Sequence, residues 1–530
     1  MSAYEDLKSL VKKAYFDHDV ARMSCKHTIP EVMRELRKTL PADWGIDLES
    51  LTQVKSSVLM AECYDYYGLF TDAELASNLG EKALSKVQRP PGSDGERELL
   101  QAKIRLAVAH ARSLYRIPDY AAAERLLLQC RTVTKSALGD RKNFGIRGEI
   151  AYALGRVYRQ KQRYADASRE FNKAIEMYNL RSEQKNSDRT DDREQAEAFS
   201  RHKVATIVAL GLAWCNYTQG ALGAAMYGNL IPARMLLKRS GDVLNSAYAD
   251  VIYASTARAL IGKDIKKLNE LRALVIEAQN IFKKYDHKHY VAGTALELAL
   301  IALATGDTET ADRDLYPLEK PPIDKRWLLS ARIVQSRIAR HNNDYQSALA
   351  KAKDALKTAR KRKEPLAEIE ALIARSEARS DKENELARAD LQRALKLNQA
   401  AEERGTSFNP KIHAICHLHL MERYLRMKKL SDAYRSYAEW CTVRGAVEHF
   451  NIREKAERLA TKLGAQKKLC IDTDGPQGLD DDRNVALLRE FLLRKAKIRH
   501  RTDRDVIDAL GITAPTLKIW EKLYDKRPDA

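Results

Sequence analysis

Residues 149–178, EIAYALGRVYRQKQRYADASREFNKAIEMY, constrain the fold more than any other part of the chain. Leu154, Gly155 and Tyr158 fall on one face of a helix, since residues three and four apart are helical neighbours. Tyr164, Ala167, Phe171 and Ala174 do the same on a second helix after a short polar break. Gly155 and Ala167 are small enough for two antiparallel helices to approach closely, and Tyr158, Tyr164 and Phe171 have the bulk to fill the space around that crossing. The spacing predicts a helical hairpin. The tyrosine-to-alanine step recurs at Tyr120 and Ala123, followed by Leu127 and Cys130, and at Tyr345 and Ala348, followed by Ala352 and Ala355. Looser copies are Phe70 with Ala73, Asn384 with Ala387, Leu391 and Ala394, and Leu430 with Ala433 and Tyr437; the fit around Ala233 and Ala311 is marginal.

The unit at 149–178 resembles the tetratricopeptide repeat (TPR), over about one full repeat. The copies are not separated by a fixed interval, so several helices are longer than that family's standard. A single hairpin cannot cover its own apolar face, so neighbours must stack into a solenoid. The expected fold is therefore all-α, a TPR-like α-solenoid of seven to nine helical hairpins over 1–463. The resemblance implies a concave surface that holds a peptide, another protein or a domain of the same chain.

Composition agrees. The chain has 530 residues with only 14 Pro and 23 Gly, and its bulk is Ala, Leu, Arg, Lys and Glu, all good helix formers. No series of period-two strands stands out. The longest apolar runs, 205–215 and 296–304, are too short to span a bilayer. The N-terminus lacks a continuous apolar segment, and seven Cys with no CxxC pair read as buried thiols, so a cytoplasmic protein with no membrane contact is expected. The formal charge of +19 favours nucleic acid or another acidic partner.

Three segments break the helical pattern: 88–97 (QRPPGSDGER), the polar stretch 181–195, and the region from Gly464, which carries Gly475-Pro476, Gly478 and Asp480-Asp481-Asp482. The last is expected to be a linker, 464–483, leading to a small three-helix module at 484–530. In that module Gly511 supplies a sharp turn, and Thr513 can cap a helix with Pro515 in its first turn. Val506, Leu510, Ile512, Leu517 and Trp520 would be its core. Leu510-Gly511-Ile512-Thr513, Pro515-Thr516-Leu517 and Trp520 resemble the helix-turn-helix that ends Fis-like bacterial regulators. Ile507 departs from the alanine usual in that family and would widen the helix crossing.

The resemblance implies DNA binding. Thr513, Ala514, Thr516 and Lys518, with Lys522 further along, would face base edges, and Arg499, Arg501 and Arg504 would meet phosphates. It also implies a homodimer on paired half-sites. Between residues 489 and 527 eleven Lys/Arg stand against six Asp/Glu. The leading expectation is a transcriptional or signalling regulator that senses a protein or peptide and binds DNA. The alternative is a scaffold assembling a protein complex without DNA, its terminal helices capping the solenoid.

Two constellations suggest chemistry. His413 and His417 lie one helical turn apart, with Cys416, His419, Glu422 and Cys441 as further metal ligands to consider; a satisfied helix pair is the favoured reading, so no metal and no cofactor are expected. Arg22/His27, Arg105/His110 and Arg444/His449, with Arg494/His500 as a near relative, resemble the Arg–His pair of HEPN ribonucleases. Arg in such a pair would hold phosphate while His moves a proton. Twelve His in an Arg-rich chain produce such spacings by chance, so no catalytic residue is assigned and ribonuclease activity stands as a lesser alternative. No phosphate-binding glycine loop or nucleophile elbow is present.

Overall fold

A computed structural model describes residues 54, 57–58, 60–62, 65, 70–85, 93–116, 119–137, 143–184, 201–285, 287–318, 325–362, 364–403, 408–471 and 518. Every regular element among them is helical: α1 (Phe70–Leu84), α2 (Ser93–Arg116), α3 (Tyr120–Ala137), α4 (Phe144–Gln160), α5 (Tyr164–Gln184), α6 (201–219), α7 (222–239), α8 (Val243–Ile261), α9 (Ile265–Lys284), α10 (Lys288–Thr305), α11 (Thr308–Leu315), α12 (Lys325–His341), α13 (Tyr345–Arg362), α14 (Pro365–Ala378), α15 (Asn384–Glu403), α16 (Pro410–Arg426), α17 (Leu430–Val443) and α18 (Phe450–Ile471). From α2 to α17 they pair into eight antiparallel hairpins. First helices of neighbouring hairpins touch at α2/α4, α6/α8, α8/α10, α10/α12 and α12/α14, which sets them side by side in an inner layer. The chain has the TPR-like α-solenoid fold.

The repeat positions do the expected work. Ala123, Ala167, Ala348, Ala387 and Ala433 are fully buried, and so are Ala233 and Ala311, where the sequence pattern was weakest. In the α4–α5 hairpin a Cβ added to Gly155 would lie 2.5 Å from the Phe171 ring, and one on Gly148 would lie 3.0 Å from Tyr178. The two contacts keep a single antiparallel register around the turn at Gln162. Leaving out two methyl groups lets two aromatic rings reach the helix backbone.

The turns between helices share one device. Gly241, Gly262 and Gly306 have positive φ, and Asp242, Asp264 and Asp307 then cap the next helix by accepting from the amides of Asn245, Lys267 and Thr310. Gln162, Asn343 and Lys428 hold the left-handed conformation without glycine, at φ 61°, 61° and 58°.

Two boundaries differ from the sequence reading. Helix α2 begins at Ser93, inside the loop expected at 88–97: a helix is forbidden at Pro-Pro but not after it. Helix α18 runs through Gly464 to Ile471, past the expected edge of the repeat domain at 463. The rest of the linker, and the 484–530 module apart from Lys518, lie outside the described residues.

The solenoid also closes on itself. The turn between α17 and α18 docks on the turn between α6 and α7: the Glu448 amide donates to the Gly220 carbonyl at 3.1 Å, and its carboxylate accepts from the Gly223 amide at the start of α7. Asn409 caps α16 through the amides of Lys411 and Ile412 and donates its side-chain nitrogen to the Thr218 carbonyl at 3.3 Å. Lys263 pairs with Glu454 at 3.1 Å. Close approach is possible because glycines line the seam. A Cβ on Gly262 would fall 2.1 Å from the Phe450 ring, and one on Gly223 3.0 Å from the Glu448 carboxylate.

Gly262 and Gly306 both have positive φ, but nothing lies within 4 Å of a Cβ on Gly306. Gly306→Ala should therefore cost only the backbone strain, roughly 1–2 kcal/mol, whereas Gly262→Ala must also displace Phe450. Thermal unfolding should show the larger drop for Gly262→Ala, and adding Phe450→Ala to it should restore part of the loss; no recovery would mean that Phe450 does not press on Gly262.

Candidate functional site

The inner layer curls round a cavity of about 1790 Å³, lined mainly by first helices from α2 to α16 and flanked by α18. Sites for single small molecules span roughly 300–1,000 Å³. Its lining includes ten Lys/Arg against seven Asp/Glu, together with ten aromatic residues.

The charges form three groups along the cavity. At the N-terminal end Arg112 reaches Glu62 at 3.6 Å and Arg156 reaches Asp65 at 3.8 Å. Burial, reinforced by Glu149, raises the Glu62 carboxyl, and burial lowers Lys203. In the middle Arg258 binds Glu297 through two hydrogen bonds of 2.7 and 3.2 Å. Burial opposes the Arg258 charge, but Glu297 and Tyr217 more than offset it. Lys411 sits 5.1 Å from the Tyr217 ring centroid, and burial, with Arg258 and Arg337 nearby, brings its ammonium down to about 8. Burial raises the neighbouring Glu370 carboxyl. Towards the C-terminal end Glu377 meets Arg337 at 3.3 Å and His419 at 3.4 Å. Burial works against the Glu377 charge, yet Arg337, His419 and further cations hold it at about 2.

Helix α6 widens into a π-helical segment at Val208–Leu212. The Arg159 guanidinium donates to the Leu210 carbonyl there at 2.5 Å, so the irregular turn becomes an acceptor for a cavity cation.

Of the DNA-contact residues expected from sequence, Lys518 is described, as an exposed helical residue. Arg499, Arg501, Arg504, Thr513, Ala514, Thr516 and Lys522 lie outside the described residues, as do Arg22/His27 and Arg494/His500. In the described Arg–His pairs, Arg105 is exposed while His110 is engaged by Glu81 at 2.6 Å. A separation of five residues turns about 140° around a helix, so the two side chains diverge. His449 lies in the cavity among Lys411, Arg258 and Arg337, while Arg444 is exposed on a 3-10 turn.

The metal candidates also separate. His419 turns to Glu377, Glu422 binds Lys455 at 2.7 Å, and Cys416 is buried in the core. His413 and His417 do share a face, but the Nδ1 atoms of both rings lack a hydrogen-bond partner, so this is not the satisfied pair that the spacing favoured. The residue near them is Glu439, which the sequence reading did not name. Only the repeat register, which faces α16 with α17, could have pointed to it.

The geometry defines a closed TPR-like solenoid with a charged, aromatic interior. Among solved structures it is similar to a Rap protein complexed with Competence and Sporulation Factor, at 12% identity and TM-score 0.52, over 76% of this chain and 99% of that one. The apo form of RapI has 12% identity and TM-score 0.45, over 74% and 97%, and yeast Tom70 has 13% and 0.40, over 89% and 97%. At such identities the likeness concerns the fold. No protein-family model and no curated protein matches the chain. No helix among the described residues is long and apolar enough to cross a membrane.

Burial, and then Lys411, lowers the His449 imidazole well below its usual value of 6.5. A lowered folded-state value means that this histidine's share of stability is complete above 6.5 and is lost as the pH falls, because the unfolded chain takes up the proton first. Between pH 6.5 and 5 the wild type should lose stability more steeply than His449→Gln, by up to about 1.4 kcal/mol per pH unit. Parallel denaturation curves at the two pH values check this, and equal slopes would contradict it.

Proposed function

We propose that this chain is a non-enzymatic, protein-binding repeat scaffold that takes an extended, acidic peptide segment of a partner into its central cavity. The observation that carries the reading is the cavity itself. It is roughly twice the size of a small-molecule pocket, and it mixes a cationic surplus with aromatic faces such as Trp214, Tyr217, Tyr248 and Trp327. Such a lining suits a chain that alternates carboxylates with apolar side chains, each aromatic contributing area at low entropic cost. The likeness to a Rap protein solved with a factor bound supports the same reading.

Trp214 and Trp327 line the cavity and report on its occupant by their fluorescence. Titration with a pool of acidic random peptides should give a saturable change that weakens as salt is raised. The double variant Lys411→Gln, Arg337→Gln should reduce affinity by about tenfold. No response to acidic peptides, or an equal response to basic ones, would reject the proposal.

We further propose that the C-terminal module adds duplex DNA binding, which would make the whole a partner-sensing regulator. Its support is the helix-turn-helix resemblance, the basic surplus of 489–527 and the exposure of Lys518. Groove recognition by this motif calls for two copies on paired half-sites. A mobility shift of the full chain on duplex DNA at low salt should be strong and should fade steeply with salt. It should be lost when Arg499, Arg501 and Arg504 are all changed to Glu. A chain that leaves the duplex unshifted at low salt is a scaffold alone.

A further inference from the structure

Helix α16 carries two faces of different character. One lines the cavity with Lys411, Ile415 and Leu418, whereas His413 and His417 belong to neither its lining nor its ion pairs. The two rings stand 4.4 Å apart, centroid to centroid, and Phe408 covers His413 at 5.2 Å. Glu439, from α17, brings a carboxylate oxygen to 3.6 Å from His413 Nε2. One ring nitrogen from each histidine and a carboxylate oxygen of Glu439 all lie within 4.8 Å of one another.

The second observation is the state of the rings. The Nδ1 atoms of His413 and His417 are buried, and neither makes a hydrogen bond. Buried polar atoms in native proteins are normally satisfied, so unpartnered nitrogens on two adjacent rings mark the pair as incomplete.

We propose that His413, His417 and Glu439 form a zinc site that clamps α16 to α17, with water as the fourth ligand. Two imidazoles at i and i+4 plus one carboxylate suit a borderline-soft cation, whereas magnesium and calcium prefer oxygen throughout. Tetrahedral zinc with bonds of about 2.0–2.1 Å holds its ligand atoms about 3.4 Å apart. The metal-free spread is wider than this, and the Glu439 side chain, 48% exposed, has room to rotate inwards. His413 and His417 are fixed by the helix, so the ion would draw the outer helix of the hairpin onto the inner one. The site stands apart from the cavity and does not depend on what the cavity binds.

The test uses the full chain, stripped by a chelator and titrated calorimetrically with zinc chloride, with cobalt as a spectroscopic probe. One high-affinity zinc per chain is expected, with a tetrahedral-type cobalt absorption band and a higher melting temperature in the presence of zinc. Glu439→Gln, a change at the surface, should weaken binding by about tenfold or more, and His417→Gln should abolish it. His341→Gln, at an exposed histidine on another hairpin, should bind as the wild type does. A wild-type chain that binds no zinc overturns the site, and so does undiminished affinity in both Glu439→Gln and His417→Gln. If His417→Gln fails to fold, Glu439→Gln alone decides the matter.

Discussion

The seating of Glu448 on the amino end of α7 is the contact on which the rest of the architecture depends. The acceptor and the Gly223 amide are 225 residues apart in the chain. A carboxylate there satisfies an amide that has no partner within its own helix and sits at the positive end of the helix dipole. Because the contact joins two turns rather than two helix faces, it sets where one revolution of the solenoid ends. Without it the inner layer would be an open groove facing solvent. With it the same side chains surround a common volume, and their charges act on one another through little water.

Burial of this kind explains the spread of ionisation along the interior. Arg258 is kept charged because Glu297 accepts two hydrogen bonds from it, and Glu377 because several cations surround it. Lys411 and Glu370 lack so close a match and drift towards neutrality. A molecule that replaces water here meets a surface already short of solvent, where matching an ionised group is worth more than it would be outside. On the proposed function, an interior of this kind would select by charge pattern more than by shape.

How much of this was legible in the sequence depends on the range of the interaction. Gly155 facing Phe171, and the buried alanines from Ala73 to Ala433, follow from spacings of three, four and seven residues, and those positions were read correctly. Even the weak repeats at Ala233 and Ala311 pack as the strong ones do, since one small side chain at the crossing is all the geometry requires. Gly220, Gly223 and Gly262 were passed over, although Gly262 stands just before Asp264 in a legible turn-and-cap pattern. Their importance lies in what arrives from residues 411 to 450, and no periodicity links such distant positions. Glu439 escaped for the same reason on a smaller scale: an ordinary surface glutamate becomes notable only once α17 is known to lie against α16.

The closing seam also changes what kind of repeat protein this is. An open array can gain or lose a hairpin with little consequence, because each unit feels only its neighbours. Here the hairpins between Gly262 and Phe450 form a loop of fixed circumference. Dropping or duplicating one of them would leave Glu448 displaced by a whole unit from the turn it caps. Such a chain can drift freely in the composition of its repeats while their number within the loop is held constant, so related chains should differ in length outside this span rather than within it.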